Sequence, residues 1–205
     1  MQKQVLEGHY QTQNYVSQVR FMSYWHQLNE LRSIDPGSVL EVGIGNGFFS
    51  SNVKNEGIEI ITLDFDRSLN PDIVGNVVKL PFQDDVFDAI ACFEVLEHLP
   101  YHYFSPALKD MYRVSKAHVL ISLPDATPYL AVRILSSILP PIRFDLPIPR
   151  SNKNHIFDGE HYWEIGKRGF PLKKINEDIH QAGFKIVKTY RVPEHPYHRF
   201  FILEK

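Results

Sequence analysis

Cysteine is nearly absent from this chain: Cys92 is the only one among 205 residues. No intrachain disulfide framework can form, so packing must hold the fold, and a reducing, cytoplasmic setting is expected. A surplus of either charge is lacking too. The chain has 22 Lys and Arg against 24 Asp and Glu, a formal net charge of -2, so no global basic field draws it to nucleic acid. Long hydrophobic runs are missing. The longest, "PYLAVRILSSILPPI" at 128–142, is interrupted by Arg133 and by two prolines. It falls short of the roughly 20 residues that a membrane helix requires, which leaves only peripheral contact with a membrane surface. The first residues, "MQKQVLEGHYQTQ", show no apolar core of a signal peptide. No repeat or low-complexity tract is present. What remains is an ordinary globular composition, 43% apolar, expected to form one domain over 1–205.

The pattern of the chain is α/β. Residues 12–33 read as an amphipathic helix, with Val16, Val19, Trp25, Leu28 and Leu31 at helical spacing, and 1–35 as a helical cover. Strand and helix signals then alternate from 38 to 123. "SVLEVG", "IEIITLD", "VFDAIACF" and "AHVLISLP" read as strands, with helices near 47–56 and over much of 95–114. Such alternation predicts a parallel sheet clothed by helices on both faces. Residues 124–150 hold six of the fourteen prolines around an apolar helix expected at 128–139, so 124–168 reads as a lid-like insertion. A helix over 171–184 and two closing strands, joined by a short turn, complete the expected sheet. The whole is a Rossmann-like mixed sheet of seven strands, the last antiparallel.

The stretch "VLEVGIGNGFFS" at 39–50 places Gly43-Ile44-Gly45-Asn46-Gly47 at the tip of the first strand. In open α/β sheets ligands gather at such carboxyl ends. Glycine lets a ligand lie against bare backbone, although close packing alone also explains a Gly-rich turn. A dinucleotide fingerprint wants G-x-G-x-x-G/A, yet counting from Gly43 puts Phe48 at the third small position. Glu41, just before the turn, would repel a pyrophosphate and suit a cation.

These features resemble the first motif of class I S-adenosylmethionine-dependent methyltransferases, roughly [DE]-x-G-x-G-x-G. "GNVVKLPFQDDVFDAI", "CFEVLEHLP" and "RVSKAHVLISLP" are similar to later segments of that family, in the same order. Small enzymes of ubiquinone and menaquinone biosynthesis resemble the chain most. The resemblance covers about 38–125, weakens at 170–205 and stops at the Pro-rich insertion. It implies S-adenosylmethionine as cofactor and in-line methyl transfer to a small-molecule acceptor on oxygen, nitrogen or carbon, the acceptor being apolar if the insertion forms its pocket. It implies Glu41, Gly43, Ile44, Gly45 and Gly47 around the aminoacyl end, and Asp64 on the ribose hydroxyls. Asn76, Val77, Phe65 and Phe93 are implied near adenine or over the cofactor. The family usually has Asp where Asn76 stands, but an amide oxygen also accepts a hydrogen bond.

For an oxygen or nitrogen acceptor, a base near neutrality points to histidine. His98, His155 and His161 are the candidates, the last two in the aromatic-rich "HIFDGEHYWEIG". Glu94, Glu97 and His98 stand at i, i+3, i+4, one face of a helix, and form a possible set for a divalent metal, as in the ubiquinone O-methyltransferases. The preferred reading of these three is local packing without a metal. Two alternatives compete with the enzyme: a module that binds the cofactor without turnover, and a nicotinamide-dependent oxidoreductase. Monomer and homodimer are both compatible with the sequence.

Overall fold

Strand tips at one edge of a sheet decide where this chain can do chemistry. The computed structural model describes residues 16–134, 138, 142–148, 153–157 and 159–205. The elements are α1 (Gln18–Ile34), β1 (Ser38–Val42), α2 (Phe48–Asn55), β2 (Glu59–Asp64), β3 (Ile73–Val74), β4 (Phe87–Phe93), α3 (Phe104–Val114) and β5 (Ser115–Pro124). They continue with β6 (Tyr129–Ile134), β7 (Ile142–Pro147), α4 (Leu172–Gln181), β8 (Lys185–Arg191) and β9 (His198–Glu204). Seven strands lie in the order β3-β2-β1-β4-β5-β9-β8. β3 to β5 pair in parallel, and β9 runs antiparallel to both β5 and β8. The order turns back between β1 and β4, where Val42 pairs with Cys92, so a crevice opens beyond their carboxyl ends.

Side-chain alternation splits the core into two layers. Leu40, Val42, Ile90 and Cys92 face α3 and α4, through Leu108, Met111, Ile175 and Ile179. Val39, Ala89, Ala91 and Leu120 face α1 and α2, through Leu28, Leu31, Phe49 and Val53. Both faces of β4 are therefore apolar, as a central parallel strand requires. The helices on both faces and the antiparallel last strand agree with the sequence.

Three local expectations are corrected. The helix expected at 128–139 is, where described, the strand β6, paired antiparallel with β7 from Tyr129↔Pro147 to Ile134↔Ile142. Val132 and Ile134 favour extended backbone, and the rest of the expected helix, 135–137 and 139, lies outside the described residues. Of the helix expected over much of 95–114, with a break near Pro100 and a new start at Ser105-Pro106, the second part forms from Phe104, and only the part before the break is not an α-helix. Before Phe104, Glu94 takes a left-handed φ of 52° and Leu96–His98 forms a single tight 3₁₀ turn, so Glu94, Glu97 and His98 do not share a helix face. Finally, α1 buries Leu28 and Leu31 but leaves Val19 and Trp25 exposed, and turns Ser23, Gln27 and Glu30 inward instead. Glu30 accepts hydrogen bonds from Lys188 Nζ (2.8 Å) and Tyr190 Oη (2.7 Å), which tie the helix to β8. The portion of the predicted helix at 12–15 lies outside the described residues.

Trp163, in the aromatic-rich stretch, is wholly buried and donates from Nε1 to the Leu99 carbonyl at 3.0 Å. It packs edge-on against Tyr101 and Phe104 and so fastens its own segment to the sheet. Trp163→Ala is expected to cost about 3–5 kcal/mol, measured by urea unfolding, since it opens a cavity and orphans a carbonyl.

Candidate functional site

The crevice at the β1/β4 switch is a cavity of about 820 Å³. Its floor is the Gly43–Asn46 turn, where Gly43 has φ 85° and would drive any Cβ into Val95. Gly43 N–H donates to the Leu63 carbonyl (2.8 Å), and Ile44 N–H to Asp64 Oδ2 (3.0 Å). Asp64 Oδ1 also accepts from Asp66 N–H (2.8 Å), so this carboxylate staples the loops after β1 and β2 together. That structural duty was not anticipated. Burial raises the Asp64 pKa, partly offset by the backbone donors.

Glu41 ends beneath the glycine turn, and its Oε2 accepts no hydrogen bond. Burial drives its pKa to about 8; Ser50 tempers the shift and Asp64 adds to it. A buried carboxyl oxygen without a hydrogen bond is a costly feature that packing alone does not explain.

Most residues implied for the cofactor meet at this cavity: Glu41, Gly43, Ile44 and Gly45 from β1 and its turn, Asp64 and Phe65 from β2, then Asn76, Val77 and Phe93. Gly47 stands apart from the lining. It caps α2 with φ 71°, so its contribution is backbone conformation. Asn76 Oδ1 accepts from Val78 N–H (3.0 Å), which shapes its own turn. Phe93 packs edge-on against Phe49 and tilted on Phe200 while still facing the cavity.

The histidine candidates separate. His98 and His161 both line the cavity, with ring centroids 5.0 Å apart. His98 Nδ1 lies 3.0 Å from the Glu160 carbonyl and donates to it. His155 is not in the lining: its Nε2 donates to the His161 carbonyl (2.7 Å), holding that loop from behind. His161 Nδ1 is 3.2 Å from Glu164 Oε1 and 3.3 Å from Tyr197 Oη. Tyr197 also donates to Glu164, and Lys167 lies 3.5 Å from it. The bonds from His161 and Tyr197 outweigh burial and hold the Glu164 carboxyl at about 2.

Sequence reasoning missed two further walls. Arg20, Ser23, Tyr24 and Gln27 enter from α1, and His195, Tyr197 and His198 from the β8–β9 connection. The dense "EHPYH" before β9 was the available signal for the second; α1 offered none, because its lining positions look like an ordinary solvated face. Glu94 turns to His198 (Oε2 to Nε2, 3.4 Å), and the metal-ligand-type atoms that do lie within 4.8 Å of one another belong to Glu97, His98 and His161.

Residues 40–122 match a family model described as a methyltransferase domain. A relative from Staphylococcus carnosus, described as an uncharacterised methyltransferase, is 32% identical over 100 residues, 44% of this chain and 48% of its own. The chain thus spans about half the length of this curated relative. The magnesium protoporphyrin IX methyltransferase of Synechocystis, solved with S-adenosylmethionine bound, superposes with a TM-score of 0.63 over 97% of this chain and 88% of its own, at 13% identity. The PH0226 protein of Pyrococcus horikoshii superposes with a TM-score of 0.61 over 98% and 99%, at 14% identity. The described sheet therefore has the Rossmann-like fold of these two structures, as the alternation of strand and helix signals predicts.

Because the folded pKa of Glu41 lies above its unfolded value, this residue's cost to the fold grows as pH rises from about 4.5 to about 8. Glu41→Gln keeps the shape and removes the charge. The variant is expected to be more stable than the parent by about 1–3 kcal/mol at pH 8, with little difference at pH 4.5, in paired thermal or urea melts.

Proposed function

We propose that this chain is an S-adenosylmethionine-dependent methyltransferase acting on a small-molecule acceptor. The observation that carries the reading is Glu41: a buried carboxyl with one oxygen left without a hydrogen bond, under a side-chain-free turn and with Asp64 beside it. That cradle fits a ligand that is cationic and carries hydroxyls, and it repels a pyrophosphate, which counts against a nicotinamide cofactor. When bound, S-adenosylmethionine supplies a methyl group on positively charged sulfur. The chain's own task is then orientation and exclusion of water. Glu41 and the glycine turn hold the aminoacyl end, Asp64 accepts from the ribose, and Phe65, Asn76 and Val77 border the adenine. The space beyond, toward His98 and His161, takes the acceptor, and either imidazole serves as proton acceptor for a protic one. One cavity runs from the cradle to both histidines, and this favours turnover over a module that merely binds. Arg20, Tyr24 and Tyr162 reach it from α1 and from the segment after the insertion, so these two regions act as its cover. Among the described residues no helix is long and apolar enough to cross a membrane.

Calorimetry with S-adenosylhomocysteine is the test. A Kd of about 1–100 µM is expected, with no comparable binding of NAD. Below pH 8 the ligand's ammonium must displace the Glu41 proton, so affinity should rise up to about tenfold per pH unit and level off above it. Glu41→Gln should abolish that slope, and Asp64→Asn should weaken binding at every pH. No binding at any pH would refute the proposal.

A further inference from the structure

We infer that the acceptor is a cationic amine whose nitrogen is received by the wall formed by Glu94, Glu97 and His198. The inference rests on the methyltransferase reading above and extends it to the class of substrate.

Glu97 is wholly buried beside Glu94, with which it can share a proton, and no cationic side chain among the described residues hydrogen-bonds its oxygens. Glu94 has the Ser122 hydroxyl beside it, His198 Nδ1 is buried without a hydrogen bond, and Glu94, Glu97 and His198 all line the cavity. Folded proteins leave few such atoms, and each is expensive unless a ligand completes it. Here they cluster on one wall. Glu94 is held there by a left-handed backbone that non-glycine residues seldom adopt, φ 52°, a strain of the kind that gathers at working sites.

The orphaned atoms are chiefly acceptors, so the missing group is a donor of several hydrogens. Charge sharpens the choice. The lining contains Glu41, Asp64, Asp66, Glu94, Glu97 and Glu160, but Arg20 is its lone lysine or arginine among the described residues. Glu41 and Asp64 lie on the cofactor side; burial raises the proton affinity of Glu94 and Glu97, so the pair shares a proton and presents a single negative charge to a ligand. His98, His161, His195 and His198 complete the surroundings of the pair. Burial disfavours charge on His195 and, more strongly, on His198, so these two rings do not neutralise the carboxyls. A carboxylate or phosphate acceptor would meet net repulsion, and an alcohol would satisfy one orphan at most. An ammonium offers up to three N–H donors and the opposite charge. Tyr24, Phe93, Tyr103 and Tyr162 furnish the aromatic surface for the rest of such a molecule.

The probes are isosteric pairs at pH 7.5: benzylamine and benzyl alcohol, 2-phenylethylamine and 2-phenylethanol, hexylamine and hexanol. Each is titrated calorimetrically into protein saturated with S-adenosylhomocysteine. At least one amine should bind about tenfold or more tighter than its alcohol. Glu97→Gln, and separately Glu94→Gln, should bring that ratio close to one while leaving affinity for S-adenosylhomocysteine within about twofold. With S-adenosylmethionine, the bound ammonium passes one proton to the ionised carboxyl of the Glu94–Glu97 pair, the freed nitrogen lone pair bonds to the methyl carbon as the sulfur–carbon bond breaks, and S-adenosylhomocysteine leaves; N-methylated product should be detectable by mass spectrometry. The inference is overturned if S-adenosylhomocysteine binds but no amine is preferred, or if the preference survives both variants. Failure of S-adenosylhomocysteine to bind at all would instead strike the underlying reading.

Discussion

Desolvated negative charge at the carboxyl edge of the sheet is the constraint on which this molecule turns. β1 and β4 are buried on both faces, so anything at their ends sits at the brink of a low-dielectric interior. A carboxyl there loses its hydration, and its proton affinity climbs: Glu41 at the tip of β1 reaches about 8, Glu94 just past β4 about 7, and Glu97 is pushed up further by burial and by Glu94 beside it. The same interior that stabilises the fold thus makes these groups strong attractors for a cation. Structure and chemistry are one arrangement here, because the strands that build the core also aim the acids.

Glycine at the β1 tip follows from that arrangement. Val95, just after β4, fills the space that a Cβ at Gly43 would need. The two strand ends approach so closely only because one of them lacks side chains. Asp64 then fixes the gap by accepting from Ile44 and Asp66 N–H groups, which locks the turn before any ligand arrives. The cradle is therefore preorganised, and its remaining lone pairs stay available.

Much of this was legible in the amino-acid order, for identifiable reasons. β2 and β4 could be read because Ile60, Ile61 and Thr62, or Ile90 and its apolar neighbours, satisfy a local rule of extended backbone and double-sided burial. The Gly43–Gly47 turn could be read because a bare backbone at a strand end has few uses. What stayed hidden depends on distant partners. Nothing local says that Glu30 faces inward; Lys188 and Tyr190, about 160 positions away, make that possible. The hairpin of β6 and β7 looked helical because its apolar residues carry no period that separates the two states over so short a run. Glu94, Glu97 and His98 looked like one helix face, but the left-handed turn at Glu94 redirects the first toward His198. The His161–Glu164–Tyr197 contact joins segments about 30 residues apart and has no signature in either.

The treatment of acids elsewhere in the chain shows that the cavity is not an accident of packing. Asp125 is as buried as any residue, yet Arg199 donates to it at 2.7 Å, Arg191 stands 3.8 Å away and Thr127 N–H adds a third partner. Asp88 is met by Ser38 and Lys116, and Asp72 by Thr62 twice. Where an acid serves the fold, the chain supplies a counter-charge or donors within reach, as a buried carboxylate demands. Among the described residues, the buried carboxyl oxygens left without a hydrogen bond belong to Glu41, Glu94 and Glu97, and all three face one cavity. Arginines capable of pairing exist nearby in the fold but are spent on Asp125 and on carbonyls of the loop after β5. A chain that gives its structural acids direct hydrogen-bonded partners so consistently, and sets only Arg20 among the described residues near a crevice lined by several acids, has left charge there for something that comes from outside.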